Sequence, residues 1–335
     1  MLFRAILLRL VTTAVTLLGV ALIVFFVIRV VPGNPIAMML PPGATEADIA
    51  RLTALYGLDR AIPEQFLIWG TGVLHGDLGT SITARQPVLS MVLGRLPATL
   101  ELSILALVIA VLAGGAAALT GTRARGTGVE GGIDIAGGMA LSVPDFLWGL
   151  FLILLFGVLM PVFHISGRVT PSLDLPFVTN FYLLESLVRL RLDLTLDLLS
   201  HMLLPALALA IPLAAIIAQL LKQSLKEVMH LDYVTLARTQ GYSEASVIWR
   251  AALPNAVLPT LTLVGVQFTF LIGGTVIIER LFSYEGLGNM AIDAVINRDL
   301  PLIQGIVILF AVIFTAVNLV VDLIYAALNP RLRHG

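Results

Sequence analysis

The chain holds 335 residues, of which 58% are hydrophobic and 12% charged, with a formal net charge of −1 and a mean hydropathy of +0.99. So few charged groups cannot cover the surface of two or three soluble domains, and the near-neutral balance excludes a globally basic nucleic-acid binder. The absence of cysteine excludes disulfides, thiolate metal sites and cysteine nucleophiles.

A lipid bilayer is the solvent that suits this composition, so each crossing segment is expected to be a helix with its backbone bonded internally. About 20 apolar residues cover roughly 30 Å of hydrocarbon at 1.5 Å per residue. Six segments meet or approach that length, at 10–30, 98–120, 136–159, 200–221, 256–278 and 302–328. The expected fold is all-α: a polytopic membrane protein with about six transmembrane helices in one transmembrane domain spanning 1–335.

The first segment, "LVTTAVTLLGVALIVFFVIRVV", is too long for a secretory signal, and the following "VVPGNP" lacks a small-x-small cleavage pattern. It is expected to persist as a mature helix. Between the first two spans, in 31–97, "TEADIARLTALYGL" begins with the capping Thr45, places acids in its first turn and ends at Gly57, which reads as a short amphipathic helix. The paired Gly114 and Gly115 read as ordinary membrane packing. "GTRARGTG" at 121–128 lacks the lysine of a phosphate-binding loop, and Gly126, Gly128 and Gly131 follow a membrane helix where a dinucleotide-binding turn needs a strand. A plain turn is expected there. "FYLLESLVRLRLDLTLDLLSH" mixes Glu185, Arg189, Arg191, Asp193 and Asp197 with leucines and reads as an interfacial helix leading into the fourth span, which Pro205 and Pro212 then interrupt.

An even number of spans puts both termini on one side. Arg4, Arg9, Arg331 and Arg333 at the ends, with Arg123, Arg125, Lys222, Lys226, Arg238 and Arg250 in the loops on that side, mark it as cytoplasmic. The segment 31–97 then lies outside and the loop 222–255 inside.

Chemistry has little to stand on. There is no H-E-x-x-H or G-x-S-x-G, and His75, His164, His201, His230 and His334 are scattered without ligand spacing. Carboxylates in or near spans are functional suspects, because an aspartate at a helix centre costs about 2.5–3.5 kcal/mol on the insertion scale. Glu101 after Pro97 and Asp145 after Pro144 are expected at helix N-termini or breaks, where negative charge is favoured. Asp322, four residues after Asn318, is expected to pair near the headgroups. A membrane-embedded enzyme using Glu101 or Asp145, or a passive channel, would be the alternatives to a carrier.

The loop "YVTLARTQGYSEASVIWRAALPNAVLP", Tyr233 to Pro259, is polar where its surroundings are not. Tyr233, Ala237 and Gly241 share a face at four-residue spacing, Gly241 permits the left-handed geometry that ends a helix, and Ser243 can cap a second helix running toward Pro254. The result would be a helix, a tight turn and a second helix presented to a partner.

That pattern of Ala237, Gly241 and Leu253-Pro254 resembles the "EAA" loop of binding-protein-dependent ABC importer permeases. "YVTLARTQG", "VVPGNP", "YGLDRAIPEQF", "GDLGTS", "RLPATLEL", "LLPALALA", "RLFSYEGLGNMAIDAVINRDLPLIQG" and "NLVVDLIYAALNPRLR" are similar, in order, to phrases of the dipeptide, oligopeptide and nickel branch. Departures include Asn34 and Asn329, where the branch often has aspartate, and Ala252 and Pro254 in place of its frequent His and Arg. The resemblance implies the type I importer permease architecture, in the bacterial cytoplasmic (inner) membrane, moving di- or oligopeptides inward. Nickel, glutathione, opines or oligosaccharides are carried by related systems. It also implies a second homologous permease, two cytoplasmic ATPases that bind ATP and Mg and carry the hydrolysis, and an extracytoplasmic solute-binding protein, with no cofactor in this chain. By the same resemblance Tyr233, Ala237, Arg238, Gly241, Glu244, Leu253 and Pro254 make the ATPase-coupling surface.

Overall fold

The computed structural model describes residues 2–30, 45–47, 50, 53, 59–173 and 177–328, and their regular elements are helices. In chain order these are α1 (Leu2–Val30), α2 (Ile62–Leu74), α3 (Val88–Arg123), α4 (Gly128–Ser142), α5 (Asp145–Leu152), α6 (Tyr182–Val188), α7 (Leu192–Val228), α8 (Asp232–Thr239), α9 (Glu244–Ser246), α10 (Leu253–Leu281), α11 (Leu287–Ile296) and α12 (Leu300–Leu328). Two wider π-helical stretches, Ile153–Leu159 and Val247–Ala252, extend α5 and join α9 to α10.

Among the described residues, four continuous helical runs are long and apolar enough to cross a membrane: Val88–Arg123, Leu192–Val228, Glu244–Leu281 and Leu300–Val321. They contain the second, fourth and fifth expected spans and most of the sixth, and α1 contains the first, with Val11–Phe26 as its apolar described portion. The third differs. The segment expected as one helix over 136–159 is two helices bent by 103° where α4 gives way to α5. The cause is local: Val143, restricted by the proline after it, is extended at φ −104° and ψ 123°, and the helix restarts after Pro144. Trp148 then donates from Nε1 to the Ala140 carbonyl across the bend at 3.3 Å.

Three smaller expectations meet the structure differently. Of the amphipathic helix from Thr45 to Gly57, Glu46, Ala47, Ala50 and Thr53 are helical and most of the rest lies outside the described residues. The interfacial helix at 181–201 is split: α6 ends at Val188, Leu190 turns with φ +54°, and from Leu192 the chain already belongs to the 37-residue α7. Glu185 organises the approach to α6, accepting from the Thr179 hydroxyl at 2.6 Å and from the Val178 and Thr179 amides, and these bonds pull its carboxyl down to about 2. Pro205 and Pro212 both lie inside the continuous α7.

The chain folds as two compact units. In the first, 1–96 with 289–316, the fully buried Phe25 of α1 packs its ring against Phe66 at 5.1 Å and Trp69 at 5.5 Å. Buried Asp299 accepts from the Ser81 hydroxyl at 2.5 Å and the Thr83 amide at 3.0 Å, and from Leu302 N at 3.3 Å, which caps the start of α12.

The second unit, 97–288 with 317–335, holds the main core, built by Leu102, Met202, Leu204, Leu209, Ile217, Ile278 and Phe282 with a lining of alanines from α3 and α7. Lipid tails are as apolar as leucine, so close packing rather than water exclusion holds such helices together, and small residues permit it. A Cβ on Gly114 would stand 2.5 Å from the Ala214 carbonyl oxygen, whereas Gly115 faces open space. Glu279 of α10, fully buried, accepts from Thr99 Oγ1 of α3 at 2.6 Å and from the Gly288 amide of α11 at 2.7 Å, while the same Thr99 oxygen accepts from the Leu287 amide at 2.8 Å. The turn between α10 and α11 presses so closely on this carboxylate that a Cβ on Gly286 would lie 2.3 Å from it. Gly286→Ala is therefore expected to cost about 1–3 kcal/mol as an overpacked site, read as a lowered midpoint of thermal unfolding of the purified protein. Gly273→Ala, whose Cβ would meet nothing within 4 Å, is expected to show no loss.

Candidate coupling site

α7 runs down to Val228, and the chain turns through Met229–Leu231 into α8. Asp232 starts that helix, where an acid complements the helix dipole, and buried Val234 fastens it from below. At its other end, the Tyr242 amide donates to the Ala237 carbonyl at 3.4 Å and the Gly241 amide to the Arg238 carbonyl at 3.0 Å. With Gly241 at φ +85°, this is the Schellman arrangement, so the expected left-handed glycine is present. Ser243 caps the next turn by accepting from the Ser246 amide at 3.3 Å. Pro254 does not end a helix. The π-helical stretch Val247–Ala252 runs on into α10, and Pro254, the second residue of α10, is carried inside the continuous run Glu244–Leu281, with the wide turn before it accommodating the missing N–H.

The seven expected surface residues fall into separate roles. Tyr233 is 41% exposed and its hydroxyl accepts from Asn255 Nδ2 at 2.8 Å, tying α8 to the start of α10. Arg238 donates from Nε to Glu244 at 2.9 Å and from Nη1 to the Met229 carbonyl at 3.2 Å, so one guanidinium holds the entry, body and exit of the hairpin. This ion pair is solvent-exposed, and its worth lies in geometry more than in energy. Ala237 is half-buried, Gly241 and Pro254 are exposed, and Leu253 packs on the satellite core of Ala118, Leu221, Leu225, Ala252 and Ala256. Leu231, Leu236, Tyr242 and Trp249 add exposed apolar surface on the same hairpin. Asn255 and Met229 had no signal in the sequence, since their partners lie 22 and nine positions away.

Beside the hairpin opens a cavity of about 940 Å³, lined among others by Arg123, Arg125, Gln219, Lys226, Arg238 and Glu244. Lys222 of α7 spans to α4, meeting Glu130 and Asp134 each at 2.8 Å. Of the 121–128 stretch, 124–127 form the expected turn, since α3 runs to Arg123 and α4 starts at Gly128; Gly126 has φ +77° and its amide donates to Glu130 at 2.7 Å.

The suspected carboxylates are placed elsewhere. Glu101 is not at a helix N-terminus: α3 begins at Val88 and runs through Pro97, which leaves Glu101 mid-helix and buried. It pairs with Arg168 at 2.8 Å and accepts from the Leu184 amide at 3.1 Å, and the Arg168 guanidinium lies 4.0 Å from the Tyr182 ring centre. Asp145 does open α5 at the bend, accepting from the Phe146 amide at 2.8 Å. The Asp322 side chain lies outside the described residues. The histidines are not all apart, because His164 and His201 stack face to face with ring centres 4.0 Å from one another.

Four helical runs long and apolar enough to cross a membrane, with an ordered polar hairpin between two of them, make this a polytopic membrane protein. The chain belongs to the family of binding-protein-dependent transport system inner membrane components, whose model matches residues 110–334, while the N-terminal model of the same family matches 2–103. It is thus a multi-pass inner-membrane permease of an ABC importer. It is 36% identical over 320 residues to the di/tripeptide transport system permease protein DppB of Pseudomonas aeruginosa, covering 95% of both chains. It is also 36% identical over 326 residues to the dipeptide transport system permease protein DppB of Escherichia coli, again covering 95% of both. The fold is that of a chain in the inward-facing MetNI methionine ABC transporter, with a TM-score of 0.53 at 12% identity over 69% of this chain and 93% of that one. A chain of an amino acid ABC transporter gives 0.50 at 17% identity, covering 71% and 94%.

At Gly241 an added Cβ meets nothing within 4 Å, so substitution strains only the backbone. Gly241→Val is expected to cost about 1–2 kcal/mol locally and to speed exchange of the Tyr242 amide about tenfold, with the hydrogen exchange of α7 unchanged.

Proposed function

We propose that this chain is one permease of an ATP-driven importer of di- or oligopeptides, working with a second homologous permease, two cytoplasmic ATPases and an extracytoplasmic solute-binding protein. ATP and Mg bind to the ATPases, and this chain supplies no cofactor and no catalytic group. The substrate class rests on the 36% identity, over 95% of the chain, to relatives named for di- and tripeptides. Both termini and the loop 222–255 face the cytoplasm and 31–97 faces outward, which the arginine placement supports.

In this reading α8 is the coupling helix. Its exposed face, with Tyr233, Leu236 and Arg238, seats in a groove of an ATPase, and half-buried Ala237 lets the partner's surface approach closely. A seated helix transmits force only if it cannot swivel. The observation that carries the reading is the triple anchorage of this helix: Arg238 to Met229 and Glu244, Tyr233 to Asn255, and Val234 in the core. Movement of α8 on ATPase closure is thereby passed to α7 and α10 together. Closure on ATP turns the pathway outward, and hydrolysis returns it inward.

Because the chain has no cysteine, single cysteines test both parts directly. Asn180→Cys and Asp293→Cys are expected to react with an impermeant thiol reagent added outside intact cells, while Gly128→Cys and Glu244→Cys do not. Ala237→Cys is expected to cross-link to a cysteine in the ATPase groove. Labelling of Glu244→Cys from outside, or failure of Ala237→Cys to cross-link to any ATPase, would overturn the coupling role.

A further inference from the structure

We propose that His164, Asp197 and His201 form a binding site for a divalent transition-metal ion of the zinc class. One ligand atom from each of the three lies within 4.8 Å of the other two. Asp197 and His201 sit one turn apart on α7, the i, i+4 spacing that puts two ligands on one helix face. His164 comes from the irregular segment after the π-helical stretch Ile153–Leu159, 37 positions earlier in the chain, which is why spacing alone hid the set.

The hydrogen bonds around the set fix its chemistry. His201 Nδ1 lies 2.9 Å from the Asp197 carbonyl oxygen, which can only accept, so Nδ1 carries the proton and Nε2 holds the lone pair. Ser200 spends its one hydroxyl proton on that same carbonyl at 2.7 Å, so its oxygen accepts from His164 Nδ1 at 2.8 Å. Both rings are thus oriented by Nδ1–H donation and both keep Nε2 basic, the outer-shell support that metal-binding imidazoles use. Asp197 is held as well, with one oxygen accepting from Thr170 Oγ1 at 2.6 Å and the other from the Thr170 amide at 3.0 Å. Each oxygen retains a lone pair for a cation. The two rings lie 4° from parallel at 4.0 Å, so their in-plane Nε2 lone pairs run side by side, and the exposed His164 ring has to turn out of the stack for both to reach one ion.

Two imidazoles and a carboxylate match the nitrogen and oxygen preference of zinc, with solvent completing the shell. Tetrahedral bonds of about 2.0–2.2 Å set ligand atoms about 3.3–3.6 Å apart, so a pair at the 4.8 Å limit has to close by about 1.2–1.5 Å. His164 is exposed and can make that shift, whereas His201 is buried. A bound ion would fasten the segment 160–170 to the start of α7.

The test uses the full-length chain in lipid nanodiscs, purified on a tag without histidine and stripped with chelator. Zn²⁺ is titrated against a fluorescent chelator, and Co²⁺ is added to read its visible d–d bands. Wild type is expected to bind one Zn²⁺ per chain and to show nitrogen-ligated Co²⁺ bands. His164→Ala, at an exposed position, is expected to weaken binding by at least about tenfold while its metal-free melting temperature stays that of wild type. His75→Ala, another exposed histidine, is expected to bind as wild type does. Absence of Zn²⁺ binding by wild type, equal affinity in His164→Ala, or a loss in His75→Ala that matches the loss in His164→Ala would each overturn the site.

Discussion

A carboxylate with no exposed surface, Glu279, organises the second unit of this protein. Hydrocarbon offers no water to a stranded polar group, and an unsatisfied one costs several kcal/mol, so such an acid persists only where the fold supplies its partners. Here Thr99 of α3 and the Gly288 amide of α11 do so, and Thr99 also receives the Leu287 amide. One group thus ties the consecutive α10 and α11 to α3, 180 positions earlier, and the glycines around it follow, because a side chain at 286 would occupy the place of the carboxylate and one at 288 would strike the Val276 backbone. Glu101 with Arg168 repeats the pattern, a second buried charge retained because its partner is buried with it.

The hairpin proposed for coupling takes its stiffness from the two long helices that flank it. α7 is 37 residues long and passes directly into the α8 turn, and the run from Glu244 to Leu281 is one continuous course despite Pro254. The short α8 between them has little core of its own, so Arg238, Tyr233 and the Gly241 turn set its pose. A helix of eight residues would not hold its shape alone in water. Its order is borrowed from the long helices, which is the property a force-transmitting element needs.

Much of this was legible in the sequence. Among the described residues, hydropathy located four of the six expected spans as single helices long and apolar enough to cross a bilayer, and the first as the helix α1, because a bilayer imposes one length and one backbone solution. Gly241 and Ser243 announced the hairpin because each supplies a backbone geometry or a cap that few other residues can. What stayed hidden were the long-range pairings. Pro97 read as a helix start, yet α3 begins at Val88 and carries the proline through, so Glu101 could not be placed without Arg168, 67 positions on. The third span read as straight, since periodicity does not register a 103° bend when both arms are apolar. His164 and His201 are brought together by the return of the chain to α7, which no spacing rule contains.

The central claim is that this chain moves solute only as a coupled part of an ATP-driven assembly. The most direct measurement is uptake into proteoliposomes holding the full set of subunits, with the solute-binding protein outside and the solute that copurifies with it as the probe. The account predicts accumulation against a gradient that requires enclosed ATP and is lost in the Gly241→Val permease. Uphill accumulation driven by a proton gradient with no ATP present would contradict it.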